Sequence, residues 1–213
     1  ASWGPTVAVR VPVHASGPYF TPNYRAVGRA IHTNGPISGA FRGFGVPQAT
    51  IMQETLYDEL ATKLGMDRLA FRLKNALRDG MATVSGHVME SGVGIAACLE
   101  ALREPWERAC AEAKRINAEA NGVRRRGIGI ASCWYGCGNT GIPNPSTIKA
   151  GITASGELVL HQGAVDIGQG SNTVIAQIFA DALGLALSQV RLEGADTAIT
   201  PDAGKTSGSR QTG

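Results

Sequence analysis

The densest chemical signal is the run Gly39-Ala40-Phe41-Arg42-Gly43-Phe44-Gly45-Val46-Pro47-Gln48, where three glycines, two phenylalanines, an arginine and a proline share ten positions. Glycine frees the backbone for positive φ and for close approach by another group. Proline steers the residue before it away from the helical region. Such a stretch suits a sharp loop that presses main chain and one ring, Phe44 or Phe41, against a bound group. The same residues would also make an ordinary turn closed by core aromatics, and composition alone leaves both readings open.

A second stretch is Asp166-Ile167-Gly168-Gln169-Gly170-Ser171-Asn172-Thr173, leading into an apolar-periodic run that stops at Gly184. A strand, a Gly-x-Gly turn and a helix together present main-chain N–H groups to an anion. Ser171 or Asn172 is placed to cap the helix, and Gln169 brings both a donor and an acceptor. A third stretch, Pro201 to Gln211, holds Gly204-Lys205-Thr206, which looks like the end of a Walker A loop. That pattern demands glycine at 199, where Ile199 stands, and a strand directly before it, so an NTPase is excluded. What remains is a small, hydroxyl-rich loop centred on Ser207-Gly208-Ser209. Metal spacing is absent: Cys133 and Cys137 fit neither a zinc ribbon nor a ferredoxin, and His14, His32, His87 and His161 are scattered.

These loops need elements to hold them. Alternation from Val7 to Val13 predicts a strand ending near Pro12, and Tyr24 to Ile31 predicts another. Met52, Leu56, Leu60 and Leu64 recur at helical spacing and predict a helix from Gln48 to Leu64, stopped by Gly65. Asp67 is placed to cap a second helix carrying Leu69, Leu73 and Leu77, ending at Gly80; both helices read as plain core packing. A third runs from Ile95 to Ala120, kinked or split by Pro105. Strands are predicted at Gly127 to Trp134, Thr147 to Thr153 and Leu158 to Gln162, the last two as a hairpin. The expected fold class is mixed α+β, with helices packed on mixed or antiparallel sheets.

Composition narrows the partners. Of 213 residues, 43% are apolar, enough for a real core, and the net charge is only +3. Arg124-Arg125-Arg126 is a local run without interleaved aromatics, so no nucleic acid is expected. No apolar run reaches the length of a membrane span. Ala1-Ser2-Trp3-Gly4-Pro5 has no signal-peptide pattern and four cysteines make no disulfide scaffold, so the expected compartment is the cytoplasm.

Taken together, Gly39-Ala40-Phe41-Arg42-Gly43-Phe44-Gly45 with Pro47-Gln48, followed much later by Gly168-Gln169-Gly170, resembles the molybdenum-binding portion of the xanthine dehydrogenase/aldehyde oxidase family. Tyr19, Pro22-Asn23 and Thr33-Asn34 match the usual approach to the arginine loop. The resemblance implies that the main chain of Arg42 sits beside the molybdenum ligands and that Phe44 packs against a flat substrate. It implies that Gly168 and Gln169 hydrogen-bond the pyranopterin and its phosphates, and that Ser207, Gly208 and Ser209 form the small-residue loop near the metal. Arg10 falls where purine-oxidising members carry a substrate-orienting arginine, and Asn139 in the region lining substrate entry. Asp166 stands where many relatives have glutamate, a conservative difference expected to change little.

The implied activity is hydroxylation of a carbon next to nitrogen or oxygen in an N-heterocycle or aldehyde, with water as the oxygen source. The cofactor would be molybdopterin, alone or as its cytosine dinucleotide, with 2Fe-2S clusters and FAD on partner chains or domains. The reaction needs a general base. The family's glutamate lies in a Gly-rich motif near the C-terminus of the molybdenum domain, and no such motif occurs here. The resemblance therefore places residues 1–124 at the end of one molybdenum-cofactor-binding subdomain and 125–213 at the start of the next. Such a segment is expected to be inactive alone and to need the remaining molybdenum-domain segments. A non-catalytic cofactor-binding or assembly segment is the alternative.

Overall fold

The structure, a computed structural model, describes residues 4–36, 39–136 and 145–212. The chain divides into two compact units, Ala1–Tyr135 and Gly136–Gly213.

The first unit is helical. α1 (Gly4–His14) occupies the stretch whose alternation predicts a strand. Pro12 lies in its last turn and removes the N–H that would bond the Ala8 carbonyl. The backbone of Gly28 lies against that carbonyl, so close that a Cβ on Gly28 would sit 2.3 Å from the Ala8 oxygen. The Tyr24 hydroxyl donates to the Pro12 carbonyl. The segment from Tyr24 to Ile31 is thus an irregular strap over α1 rather than a strand, and 127–134 has no ladder either. β-branched residues favour strands only where a pleated neighbour exists, and none of the strands described lies in this unit.

α2 (Val46–Lys63) follows the Gly-rich loop and α3 (Arg68–Asn75) follows Asp67, whose carboxylate accepts from the Ala70 N–H at 2.9 Å. Gly65, at φ 63°, closes α2 as expected. α3 stops well before Gly80, because Ala76 and Leu77 turn extended to pair with the chain at Pro18–Phe20. The predicted third helix is split into α4 (Ile95–Ala101) and α5 (Arg103–Glu119). Leu69, Ala76, Leu99 and Trp106 form the core of this unit. The Trp106 indole donates to the second oxygen of Asp67 at 2.8 Å, so one carboxylate both caps α3 and anchors α5.

The reading of α2 and α3 as plain core packing fails for α2, where Met52, Leu56 and the C-cap Leu64 lie exposed, and it missed a buried polar network between the two helices. Arg72 has no exposed surface, and its Nε donates to Glu54 at 2.8 Å. Asp58 pairs with the same guanidinium at 2.9 Å. The Tyr19 hydroxyl donates to the other Glu54 oxygen at 2.9 Å.

The second unit is a small mixed sheet carrying one long helix. β1 (Ile148–Ile152) pairs antiparallel with β2 (Leu158–Gln162), and β2 pairs parallel with β3 (Val190–Gly194). α6 (Ser171–Ala182) makes the crossover between the parallel strands. Leu160, Ala164, Ile175 and Ala203 form its core. No helix among the described residues is long and apolar enough to cross a membrane.

Candidate functional site

In the first unit, the Gly-rich stretch is a tight turn that runs straight into α2. Gly43, Phe44 and Gly45 all have positive φ, at 88°, 47° and 99°. A left-handed phenylalanine is uncommon and costs energy that neighbouring contacts must offset. Main-chain bonds from Phe44 N–H to the Phe41 carbonyl (2.8 Å) and from Val46 N–H to the Gly43 carbonyl (2.9 Å) hold the turn. Gly45 must be glycine for a second reason: a Cβ there would lie 2.8 Å from the Val7 carbonyl of α1. The turn thus sits against the helix that carries Arg10. Arg42 is exposed, Phe44 half-buried, and Phe41 the more exposed ring at 85%.

Arg10 lies on a helix, not at a strand end. Its guanidinium stands 5.8 Å from the Tyr135 ring centroid, a cation–π distance. Its carbonyl lies 3.0 Å from Nδ1 of His14. Burial, with the nearby Arg10 charge helping, holds the His14 pKa below the ordinary histidine value despite that bond. Asn139 lies outside the described residues.

In the second unit, the turn before α6 is held by its own side chains. Asp166 is the hub. Oδ1 accepts from the main-chain N–H of Gly168 at 2.9 Å and of Gly170 at 3.3 Å, and Oδ2 accepts from Asn172 N–H at 3.1 Å. These N–H groups, the first of them chiefly, hold the Asp166 carboxyl below the usual carboxylate range. The capping role expected of Ser171 or Asn172 therefore belongs to Asp166, with Gly170 itself at the N-cap. Gln169 also turns inward: its Oε1 accepts from Ile167 N–H at 2.7 Å and its Nε2 donates to the Val165 carbonyl at 2.7 Å. The main-chain N–H of Gln169 has no partner among the described residues. Gly168 and Gly170, at φ 107° and 80°, have open space where a Cβ would go, so backbone conformation rather than crowding demands glycine there.

The hydroxyl-rich loop lies beside this turn. Val165 N–H donates to Thr206 Oγ1 at 3.0 Å, tying the approach to Gly168 onto the 203–211 loop. A Cβ on Gly163 would lie 2.3 Å from the Pro201 carbonyl, a second close approach of the same two segments. Arg210, nearly buried, gathers the loop by donating from Nη1 to the carbonyls of Ala203 (2.7 Å) and Lys205 (2.8 Å). Gly208 and Ser209 have left-handed φ of 67° and 56°, and Ser207 and Ser209 are exposed. The structure thus brings Gly168 and Gln169 together with Ser207, Gly208 and Ser209 in one unit, and the Arg42–Phe44 turn together with the Arg10 helix in the other.

Sequence reasoning passed over Asp166, Thr206, Arg210 and Gln162 as site supports. Gln162, buried at the end of β2, donates to Asn172 Oδ1 at 2.7 Å and accepts from Ala164 N–H at 2.7 Å. Asp two residues before a glycine is an Asx-turn signature and was available as a signal. Nothing in the local sequence marks Arg210, which also donates to the distant Pro145 carbonyl, or Gln162, whose partners lie in the turn and helix that follow it.

Comparison with known proteins gives the family. Residues 97–213 match one molybdopterin cofactor-binding domain and residues 1–76 match another of the same description. The chain belongs to the molybdopterin cofactor-binding domain family. The aldehyde oxidoreductase of Megalodesulfovibrio gigas is 35% identical over 196 residues, which is 91% of this chain and 21% of that protein. The nicotinate dehydrogenase large molybdopterin subunit of Eubacterium barkeri is 47% identical over 104 residues, 49% of this chain and 24% of its own. The solved aldehyde oxidoreductase from Desulfovibrio gigas superposes with a TM-score of 0.83 over 98% of this chain and 23% of that chain, at 31% identity. The chain spans about a fifth to a quarter of the length of these relatives.

The residues present fit a molybdopterin. The second unit offers neutral groups of both kinds, namely the Gln169 main-chain N–H and the exposed hydroxyls of Ser207 and Ser209. That is the mixture a pterin's alternating ring donors and acceptors require.

Proposed function

We propose that this molybdopterin cofactor-binding chain is part of the large subunit of an oxidoreductase that hydroxylates an N-heterocycle or an aldehyde with water as the oxygen source. The observation that carries the reading is the pair of family matches over both parts of the chain. The Val165–Thr206 bond, which stitches two of the candidate loops, supports the site assignment. Relatives named aldehyde oxidoreductase and nicotinate dehydrogenase support the substrate classes.

In this reading residues 1–124 are the end of one molybdenum-cofactor-binding subdomain and 125–213 the start of the next. The cofactor supplies the two-electron redox chemistry, and the chain's residues bind, orient and exclude. Gly168 and Gln169 hold the pterin through main-chain groups, above all the Gln169 N–H that the turn leaves unbonded among the described residues. The Ser207–Gly208–Ser209 loop stays small so that nothing crowds the metal. Arg42 brings its main chain to the metal's ligand sphere, and Phe44 is the plate on which a flat substrate lies. Arg10 orients the substrate, and Asn139 lines its entry. The base that takes the proton from the attacking water is a glutamate outside this segment. The cofactor's cytosine dinucleotide form, 2Fe-2S clusters and FAD on partner chains or domains, and a cytoplasmic location complete the proposal.

Metal analysis of the intact protein with its partner chains, followed by a screen of N-heterocycles and aldehydes with a dye acceptor, tests it. Molybdenum and pterin with substrate-dependent dye reduction are expected. A preparation with all partners but neither molybdenum nor pterin overturns the reading in favour of an assembly segment.

A further inference from the structure

We propose that Asp166 is a positioning residue: its carboxylate is an anion built into the chain that locks the 166–172 turn and leaves the Gln169 main chain to face the cofactor. The inference rests on the reading of this turn as a molybdopterin contact. A helix start preceded by Gly-x-Gly ordinarily invites a ligand phosphate into its unbonded N–H groups. Here both Asp166 oxygens already fill that place, with bonds of 2.9, 3.3 and 3.1 Å to Gly168, Gly170 and Asn172. The turn is therefore closed against an external anion at those donors.

The Gln169 side chain completes the arrangement from the other side. It bridges Ile167 N–H and the Val165 carbonyl, and Nε2 reaches Ser171 Oγ at 3.2 Å. Asp166 and Gln169 between them satisfy the turn's donors at Ile167, Gly168, Gly170 and Asn172. The main-chain donors of Gln169 and Ser171 stay unengaged among the described residues; Ser171 is buried, whereas Gln169 is exposed between two left-handed glycines. Val165 is the next residue back, and its N–H fixes the turn to the 203–211 loop. Asp166 thus sets the position of Gln169 relative to Ser207 and Ser209 before any cofactor arrives, and no reorganisation is needed on binding.

The test uses the intact protein with Asp166→Ala, Asp166→Asn and Asp166→Glu, each made in a normal host and in a host unable to synthesise the pterin. In the cofactor-free proteins, hydrogen exchange at Gly168, Gly170 and Asn172 should speed up on the order of fivefold in Asp166→Ala, the usual effect of losing a cap. Molybdenum and released pterin in the normally grown variant should fall by roughly half or more for the same reason. Asp166→Glu should restore part of both. Asp166→Asn, which keeps the shape but loses the charge and one acceptor oxygen, carries the test if the alanine variant fails to fold. Unchanged exchange, or full cofactor content despite faster exchange, in a protein whose wild type is replete overturns this inference alone. A wild type with no molybdenum or pterin overturns the functional reading instead.

Discussion

Arg72 is the residue on which the first unit's helices depend. A fully buried guanidinium is tolerated because Glu54 and Asp58 both answer it and Tyr19 bonds the far Glu54 oxygen. Burial raises the Tyr19 pKa well above the ordinary tyrosine value and pushes that of Tyr57, whose ring stacks 4.4 Å from it, up to about 12. Glu54→Ala should therefore cost about 3–5 kcal/mol in urea unfolding, since it leaves a buried charge half matched. Replacing both partners, as in Glu54→Leu with Arg72→Met, should recover much of that loss. Asp67 gives a pH prediction. Burial works against its ionisation, but the Trp106 indole and the N–H groups of Ala70, Leu69 and Arg68 together hold its pKa below the usual value. Its contribution is then full above the ordinary carboxylate range and lost as pH falls through the lowered value. Asp67→Ala should lower stability by about 1 kcal/mol near neutrality, with the gap to wild type closing in acid melts.

At the scale of elements, the Gly-rich turn and α1 are one device. Gly45→Ala would have to hold φ 99° with a Cβ 2.8 Å from the Val7 carbonyl, so α1 must shift. A loss of about 1–3 kcal/mol is expected in denaturant unfolding, with a drop in cofactor content. Gly168→Ala meets open space and should show only the backbone strain, a smaller loss in the same assay. Much of this was legible in the sequence. The spacing of Met52, Leu56 and Leu60 found α2, Asp67 found the start of α3, and the Leu158 to Gln162 run found β2. Each of those signals is local: a side-chain period or a cap. The error at Val7–Val13 came from a β-branched run that folds as a helix, with Gly28 and Gly45 packed closely against it from elsewhere in the chain. Local preference is weak against such contacts.

At the scale of the molecule, each of the two units holds part of the candidate cofactor apparatus: Arg42 and Phe44 in one, Gly168, Gln169 and the Ser207–Ser209 loop in the other. On the proposed function, the chain by itself should give no dye reduction with N-heterocycles or aldehydes, because the proton-accepting glutamate would be supplied from outside it. On the same proposal, activity should return only when the remaining molybdenum-domain segments and the proposed iron–sulfur and FAD partners are added. Turnover by the purified chain alone would overturn that division of labour.

The sequence by itself determined which residues could meet a pterin. Glycines that must take positive φ, an aromatic beside an arginine, and small hydroxyl residues are chemical identities that no fold can supply afterwards. Only the tertiary structure decided how those residues are held: Thr206 joining two loops, Arg210 reaching the distant Pro145 carbonyl, and Arg72 locking two helices. The reason is physical. Backbone conformation and periodicity are written in neighbouring residues, whereas a hydrogen bond between distant segments exists only once packing has brought donor and acceptor within about 3 Å.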